Sequence, residues 1–272
     1  MDYGSTPKFS NPRVNDQPQT MPARDYGEHM SSYLPRRRPL ADEFWFLSHR
    51  DYGTGRLLAD GILGTALAGA LIGELALAGY VRLQAGRVVP IDPAAEPAEP
   101  AVTGYPRHAA NARRIPPPRQ VGIDPLHGIV MTEITARGAL YPVTDWITFL
   151  VKDVAQHVTG RMEAAGLLRP VGGVLRRRKW EPVDASTASS PGVALRYQAR
   201  ALVTAGAPVD QQTALLAGLT LATGLVRQVD VDDMSNLRDA LLEVVNTLPD
   251  DALTVLRAVQ DSVTAQARQV RR

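Results

Sequence analysis

The most apolar stretch of the chain runs from Leu57 to Leu83 and consists almost entirely of Ala, Gly, Leu, Ile and Val, yet it contains the carboxylates Asp60 and Glu74. A membrane-spanning helix needs about 20 mainly apolar residues, so the stretch is long enough for one. Each carboxylate would however cost roughly 2.5–3.5 kcal/mol at the centre of a bilayer. A signal peptide would begin closer to the N-terminus. The pattern therefore predicts a helix that is buried in the protein core.

Hydrophobic spacing predicts further helices and two β-hairpins around this stretch. A short amphipathic helix is expected between Leu40 and Leu47, and a long one between an N-cap at Thr144 and Ala165. Short alternating runs around Gly86 and around Gly172-Gly173 predict the hairpins. Later helices are expected to start at Pro191, Asp210, Asp233 and Asp250. The predicted fold class is mainly α: a helical bundle domain around a buried central helix, with small β-hairpins.

Composition divides the chain into an N-terminal tail and one domain. Residues 1–38 are rich in Pro, Ser, Asn, Asp and Arg without apolar periodicity, which predicts a disordered tail. The domain then occupies residues 39–272. Within it, residues 92–120 are rich in Pro, Ala and Glu, which predicts a long mobile loop.

The polar and small residues of the apolar stretch also carry predictions. Asp60 is expected to begin the helix, and Glu74 is expected to be a buried carboxylate that caps or accepts hydrogen bonds. The two are almost four helical turns apart on one straight helix, so they do not form an acid/base pair. Gly69 and Gly73 match a helix-packing motif, which in a protein core allows close approach of a neighbouring helix.

The sequence contains no pattern that is typical of an enzyme. Cysteine is absent, which excludes thiolate catalysis and thiolate metal sites. The five histidines do not cluster, and the zinc-protease, serine-hydrolase and phosphate-loop motifs are missing. A net charge of +2 does not indicate nucleic-acid binding. We therefore predict no catalytic residue, no cofactor, no metal and no nucleic-acid partner.

The second hairpin, residues 167–184, carries a local cluster of positive charge. Arg176, Arg177, Arg178 and Lys179 are consecutive, and they lie beside the apolar residues Val171, Val174, Leu175 and Trp180. Cations beside apolar residues and a tryptophan suit an anionic membrane surface. An ordinary solvated turn with its apolar residues packed inward explains the same pattern, so both interpretations remain open at this point.

Several motifs resemble the Golgi phosphoprotein 3 family, including its bacterial, actinobacterial-type members. The most specific block is LADEFWFLSHRDYGTGR, followed by an Ala/Gly/Leu helix that ends in GELALAGYVRL. Val143-x-x-Trp146-Ile147, the segment Glu163 to Leu168 and the run Ala214 to Leu219 are similar at the level of pattern. The resemblance covers about residues 40 to 270.

The resemblance implies a helical domain that docks peripherally on membranes. Eukaryotic members bind phosphatidylinositol 4-phosphate on a basic face, use an apolar-tipped hairpin to touch the bilayer or another protomer, and bind the cytoplasmic tails of Golgi glycosyltransferases. An ungapped alignment places the tryptophan of their headgroup pocket at Leu58 or Ala59. It places the three pocket arginines at Ala68, Lys152 and Ala155, so only Lys152 retains a cation.

The resemblance favours a membrane role for the hairpin, and two functional hypotheses follow. The first is a cytoplasmic, non-catalytic peripheral membrane protein that binds anionic phospholipid. Arg56, Lys152 and the four hairpin cations would contact headgroups, while Val171, Val174, Leu175 and Trp180 would touch the membrane or a second copy. The alternative is a soluble interaction or oligomerisation module that uses the hairpin without binding lipid.

Overall fold

The helix Asp60–Leu77 lies at the centre of the fold. The computed structural model describes residues 37–49, 55–91, 124–172, 179–229 and 236–270. Its helices are α1 (Leu40–Leu47), α2 (Asp60–Leu77), α3 (Pro125–Arg137), α4 (Val143–Leu150), α5 (Val154–Ala164), α6 (Ala185–Ala205), α7 (Gln211–Thr223), α8 (Val226–Val229), α9 (Leu237–Val245) and α10 (Asp250–Val270), with a 3₁₀ turn at Gly138–Leu140. Its strands are β1 (Val81–Gln84), β2 (Arg87–Pro90), β3 (Leu168–Val171) and β4 (Lys179–Pro182). The predicted mainly α fold is confirmed.

Helix α2 is buried because other helices surround it. It contacts α1, α3, α4, α5, α7 and α10. Within the described part of the chain, α2 is the one helix with the length and apolarity to cross a membrane, and 67% of it lies inside the protein. Its side chains from Leu63 to Gly73 are buried, as is Leu75. The prediction of a helix buried in the core is confirmed.

Small residues on α2 allow its neighbours to approach closely. A Cβ atom at Gly73 would lie 2.5 Å from Cδ2 of Leu215 on α7, and one at Gly69 would collide with the side chain of Val259 on α10. The packing interpretation of this glycine pair is therefore confirmed. Gln266 on α10 also donates a hydrogen bond to Thr65 over 2.8 Å, so α10 runs antiparallel to α2.

The two carboxylates of α2 have the roles that the sequence predicts. Asp60 is the first residue of the helix. Glu74 Oε1 accepts a hydrogen bond of 2.5 Å from the backbone N–H of Leu40, the first residue of α1. Because the N–H groups of a first helical turn have no partner within their own helix, Glu74 caps α1 from a different element.

The prediction of one long helix between Thr144 and Ala165 is wrong, because this segment forms two helices, α4 and α5. The turn between them contains Lys152 and places the carbonyl oxygen of Val151 2.9 Å from where a Cβ of Gly64 would be. Thr144 is not the N-cap either. Helix α4 begins at Val143, whose N–H donates to the carbonyl oxygen of Gly86 over 2.9 Å, so a backbone group satisfies this donor instead.

Helix α6 begins earlier than the predicted start at Pro191. The side chain of Asp184 caps α6 by accepting hydrogen bonds from the backbone N–H groups of Ser186 and Thr187. Pro191 lies inside the helix. A proline cannot donate to the carbonyl four residues before it, here that of Thr187. The Arg38 guanidinium donates to that oxygen over 2.8 Å, which satisfies the acceptor and allows the helix to continue.

Both predicted hairpins are present as two-stranded antiparallel sheets. Strand β1 pairs with β2 from Val81 opposite Pro90 to Gln84 opposite Arg87. Strand β3 pairs with β4 from Leu168 opposite Pro182 to Val171 opposite Lys179. Residues 1–36 of the predicted tail and residues 92–120 of the predicted loop lie outside the described residues, as do residues 230–235, which include the predicted helix start at Asp233.

Candidate functional site

Arg56 and Lys152 lie on the side of the fold where α2 begins. Lys152 follows Val151, whose carbonyl oxygen packs against Gly64 in the second turn of α2. Arg56 precedes α2 and donates to the carboxylate of Asp60, and both of these side chains are about half exposed or more, at 49% and 68%. Lys152 is exposed and has no ion-pair partner among the described residues. Lys152 is therefore the more available cation on this side.

The positions that align with the family's headgroup pocket do not form a pocket of that kind. Ala68 is fully buried in the centre of α2, so this position has no access to a ligand in solvent or in a membrane. Leu58 and Ala155 are half-buried, and Ala59 is exposed. Lys152 is thus the one cation at these positions, and its ammonium lacks the bidentate geometry of a guanidinium.

The hairpin is described only at its base. Val174, Leu175, Arg176, Arg177 and Arg178 lie outside the described residues. Val171 and Lys179 face each other in the ladder, with Val171 half-buried and Lys179 exposed.

Trp180 differs from a freely exposed aromatic residue. Its indole is partly buried and packs against the hydrophobic core. On the neighbouring position of the ladder, Arg169 and Glu181 form an ion pair of 3.5 Å. The base of the hairpin is therefore anchored to the bundle. Its exposed cations are Arg169, which is paired with Glu181, and Lys179.

Arg56 and Lys152 do not share one pocket with the hairpin. Lys152 precedes α5, and the first strand of the hairpin, β3, follows α5. Lys152 and the hairpin therefore lie at opposite ends of this helix. Its 11 residues span about 16 Å at 1.5 Å per residue. A flat, extended partner such as a membrane surface could contact both ends, whereas a single small headgroup could not.

A partly buried ion network that the sequence did not predict joins α1, α3 and α5. Arg161 donates to Oδ1 of Asp42 through Nη2 at 2.5 Å and through Nε at 3.2 Å. Its Nη1 donates to the carboxylate of Asp124. The Asp42 side chain is only 3% exposed, so this guanidinium is what compensates its charge.

His127 and Glu74 extend the network to α2. Nε2 of His127 lies 3.1 Å from Oε2 of Glu74, and Nδ1 lies 3.8 Å from Asp124. The remaining oxygen of Glu74 caps α1. Among the described residues, no three His, Asp or Glu side chains come together in the way that a metal ion requires. The network therefore links α1, α2, α3 and α5.

Burial and neighbouring charges shift the pKa values of Asp42 and Arg161 in this network. Burial raises the pKa of Asp42 to about 6, although the adjacent Arg161 guanidinium acts in the opposite direction. Burial alone would lower the pKa of Arg161, but the carboxylates of Asp42, Asp124 and Glu74 outweigh that effect and hold it above its ordinary value. The one sequence signal of the network was Glu74, a carboxylate inside an apolar helix.

Comparison with known proteins identifies a family whose model matches nearly the whole bundle. A search of curated proteins gave no significant match. The family model described as Golgi phosphoprotein 3 (GPP34) matches residues 40–266, from the first residue of α1 to Gln266 in α10. That span includes the buried central helix, both hairpins and every residue of the ion network. The chain therefore belongs to the Golgi phosphoprotein 3 (GPP34) family.

Proposed function

We propose that this protein is a non-catalytic peripheral membrane protein that binds anionic phospholipid from the cytoplasmic side. The observation that carries the proposal is the family match across residues 40–266. Eukaryotic members of this family are expected to dock on membranes through a basic face. Neither a cofactor nor a metal is part of the proposal.

The distribution of cations supports a general anionic surface more than a specific phosphoinositide pocket. Lys152 is exposed before the start of α5, and Lys179 is exposed on the hairpin that follows the end of α5. Each cation near an anionic bilayer contributes about 1 kcal/mol. Arg56 is engaged by Asp60, and Ala68 is buried, so the proposed ligand class is anionic phospholipid, with phosphatidylinositol 4-phosphate as one member to test.

Two further partners belong to the same proposal. The cytoplasmic tails of membrane proteins are candidates because eukaryotic relatives bind such tails. A second copy of the chain is a candidate for the hairpin. If the hairpin serves only such protein contacts, the protein is the soluble interaction module of the alternative hypothesis.

Co-sedimentation of the full chain with vesicles tests the proposal. The vesicles contain phosphatidylcholine alone, with phosphatidylserine, or with phosphatidylinositol 4-phosphate, each at low and at high salt. We expect sedimentation that requires anionic lipid and falls as salt screens the charges. Sedimentation that is equal for all three lipids, or absent at low salt, would overturn the proposal.

Charge-neutralising variants locate the contact. Replacing Arg176, Arg177, Arg178 and Lys179 by serine should weaken binding on the order of several hundred-fold, because four contributions of about 1 kcal/mol are lost. The matched control replaces four exposed arginines on other helices, namely Arg200, Arg227, Arg238 and Arg257. The control should bind nearly as well as the unmodified protein. Equal losses in both variants would contradict a specific role for the hairpin.

A further inference from the structure

Three large apolar side chains form an exposed surface at the start and outer face of α4. Leu140 is 68% exposed, Tyr141 42% and Phe149 44%. We call these three residues the α4 patch. Exposed apolar residues that occur singly are common and need no explanation. A group of neighbouring exposed apolar residues instead indicates an interaction surface. None of the three belongs to the hairpin or to the positions that align with the family's headgroup pocket.

The α4 patch rests on a rigid base. The buried indole of Trp146 meets the ring of Tyr141 and the ring of Phe149 edge to face, with 6.1 Å between centroids in each pair. Only 2% of Trp146 is exposed, so its indole fills the space beneath both rings. The two exposed rings are thus held outward by the packing beneath them.

Cations surround the α4 patch. The Arg137 guanidinium lies 4.5 Å from the ring centroid of Phe149. Arg87 donates to the carbonyl oxygen of Leu140. Lys152 follows Phe149 by three residues, which is about one helical turn.

Acidic groups are also close, and they limit the positive charge. Arg137 has an ion pair of 3.1 Å with Glu133. Asp145 is exposed and lies one turn before Phe149 on the same face of α4. Arg87 and Lys152 have no ion-pair partner among the described residues, so the rim still presents available positive charge.

We infer that the α4 patch inserts into the interfacial region of an anionic bilayer. Aromatic residues with polar or charged neighbours are typical of that region, where arginine and lysine reach the headgroups. A stable protein–protein interface needs about 800 Å² and 20–30 residues on each side, which three side chains do not provide. The inference rests on the proposed function, and it adds a second membrane contact that is continuous with Lys152.

Site-specific labelling separates the α4 patch from the hairpin. Because the chain has no cysteine, a single introduced cysteine can be labelled uniquely with an environment-sensitive NBD fluorophore. Phe149→Cys and Leu140→Cys report on the α4 patch, and Leu175→Cys reports on the hairpin. Tyr197→Cys is the matched control, because Tyr197 is 73% exposed on α6 and lies outside both the α4 patch and the hairpin.

We expect NBD at positions 149 and 140 to shift to the blue and brighten when phosphatidylserine-containing vesicles are added, and NBD at 197 to stay unchanged. A response at 175 without any response at 149 or 140 would overturn the inference and leave the proposed function intact. Absence of vesicle binding by every labelled protein would overturn both. A response at 149 that depends on protein concentration without vesicles would indicate a second copy as the occupant and would also overturn the inference.

Substitutions give an independent test with unlabelled protein. Leu140→Ser with Phe149→Ser should weaken binding to anionic vesicles by about tenfold or more, since two apolar insertions are lost. Val193→Ser with Tyr197→Ser, an exposed pair on α6, should leave binding unchanged. Asp145→Asn should strengthen binding by about fivefold, because it removes a like charge from the membrane-facing surface. Unchanged binding of both the Leu140→Ser/Phe149→Ser variant and the Asp145→Asn variant, each with an unaltered melting temperature, would contradict the inference.

Discussion

His49 is held neutral in the folded protein. Its ring stacks on the indole of Trp45 with centroids 3.7 Å apart, and its Nδ1 lies 2.7 Å from the Trp45 carbonyl oxygen. Because a carbonyl oxygen only accepts, Nδ1 must carry the proton of the neutral ring. Burial lowers the pKa of His49 to about 4, with the nearby positive charge of Arg56 acting in the same direction.

The low pKa of His49 predicts acid sensitivity. Above the unfolded pKa of about 6.5 both states are neutral, and as pH falls toward 4 the unfolded state takes up a proton that the folded state does not. The folded state therefore loses stability over this range. The quantity to compare is the unfolding free energy of the wild type minus that of His49→Gln. We expect this difference to decrease by at most about 3 kcal/mol between pH 7 and pH 4.

Urea denaturation at several pH values checks this expectation. The Asp42 carboxyl titrates in the same range with the opposite effect, since its raised pKa favours the folded state at low pH and this advantage is lost as pH rises through 6. Both proteins contain Asp42, so its contribution cancels in the difference between them. A difference in unfolding free energy that stays constant with pH would show that the folded state does not lower the pKa of His49.

Helix packing around α2 depends on positions that lack a side chain. At Gly69 a methyl group would collide with Val259, a buried β-branched residue with little freedom to rotate. At Gly160 in α5, by contrast, no atom lies within 4 Å of the position of a Cβ. The two glycines have the same helix propensity, so the comparison isolates the packing effect.

Alanine substitutions at these glycines should act in opposite directions. Gly69→Ala should lower the unfolding free energy by about 1–3 kcal/mol, because overpacking a core forces side chains and backbone to move. Gly160→Ala should raise it by about 0.5–1 kcal/mol, because alanine favours a helix and restricts the unfolded chain. Thermal and urea denaturation measure both. Equal effects of the same sign would contradict close packing of α10 on α2.

Sequence periodicity predicted most elements but not where some of them begin or break. Pro191 is typical of a helix start, and the sequence does not show that Arg38, far away in the chain, supplies the donor that Pro191 lacks. The α4 patch was missed for a related reason. An apolar residue such as Phe149 at helical spacing normally belongs to the core, and only the packed structure shows which face is left uncovered.

At the scale of the whole molecule, the ion network links segments that are far apart in sequence. Asp42 and Arg161 are separated by 119 residues. Residue types and spacing cannot pair such groups, because helix periodicity fixes which face is apolar but not which helices meet. Glu74 was predictable as a hydrogen-bonded carboxylate, because a carboxylate on an apolar helix in the protein core needs hydrogen-bond partners other than water. Its actual partners, Leu40 and His127, were not predictable.

Removing Arg161 should destabilise the entire bundle. Arg161→Met leaves Asp42 buried without its counter-charge, which typically costs about 3–5 kcal/mol. The matched control, Arg169→Met, breaks an ion pair whose arginine is 64% exposed and should cost less than about 1 kcal/mol. Adding Asp42→Asn to Arg161→Met should recover part of the loss, since the unpaired charge is then removed.

Urea denaturation of the four proteins (wild type, the two single variants and the double variant) tests the role of the network. Similar unfolding free energies for Arg161→Met and Arg169→Met would show that the network contributes no more than a surface ion pair. A double variant that is as unstable as Arg161→Met alone would show that the buried charge of Asp42 is not the cause.

The contact between α2 and α10 has a consequence for synthesis on the ribosome. Gln266 and Thr65, which it joins by a hydrogen bond, are 201 residues apart. At about 5–20 residues per second, α2 waits on the order of 10–40 s for α10, the last of the helices that cover it. During this interval the nascent chain exposes a helix apolar enough for a translocon to accept. Asp60 and Glu74 then act against misinsertion, because each raises the free energy of entering the bilayer before the bundle has formed.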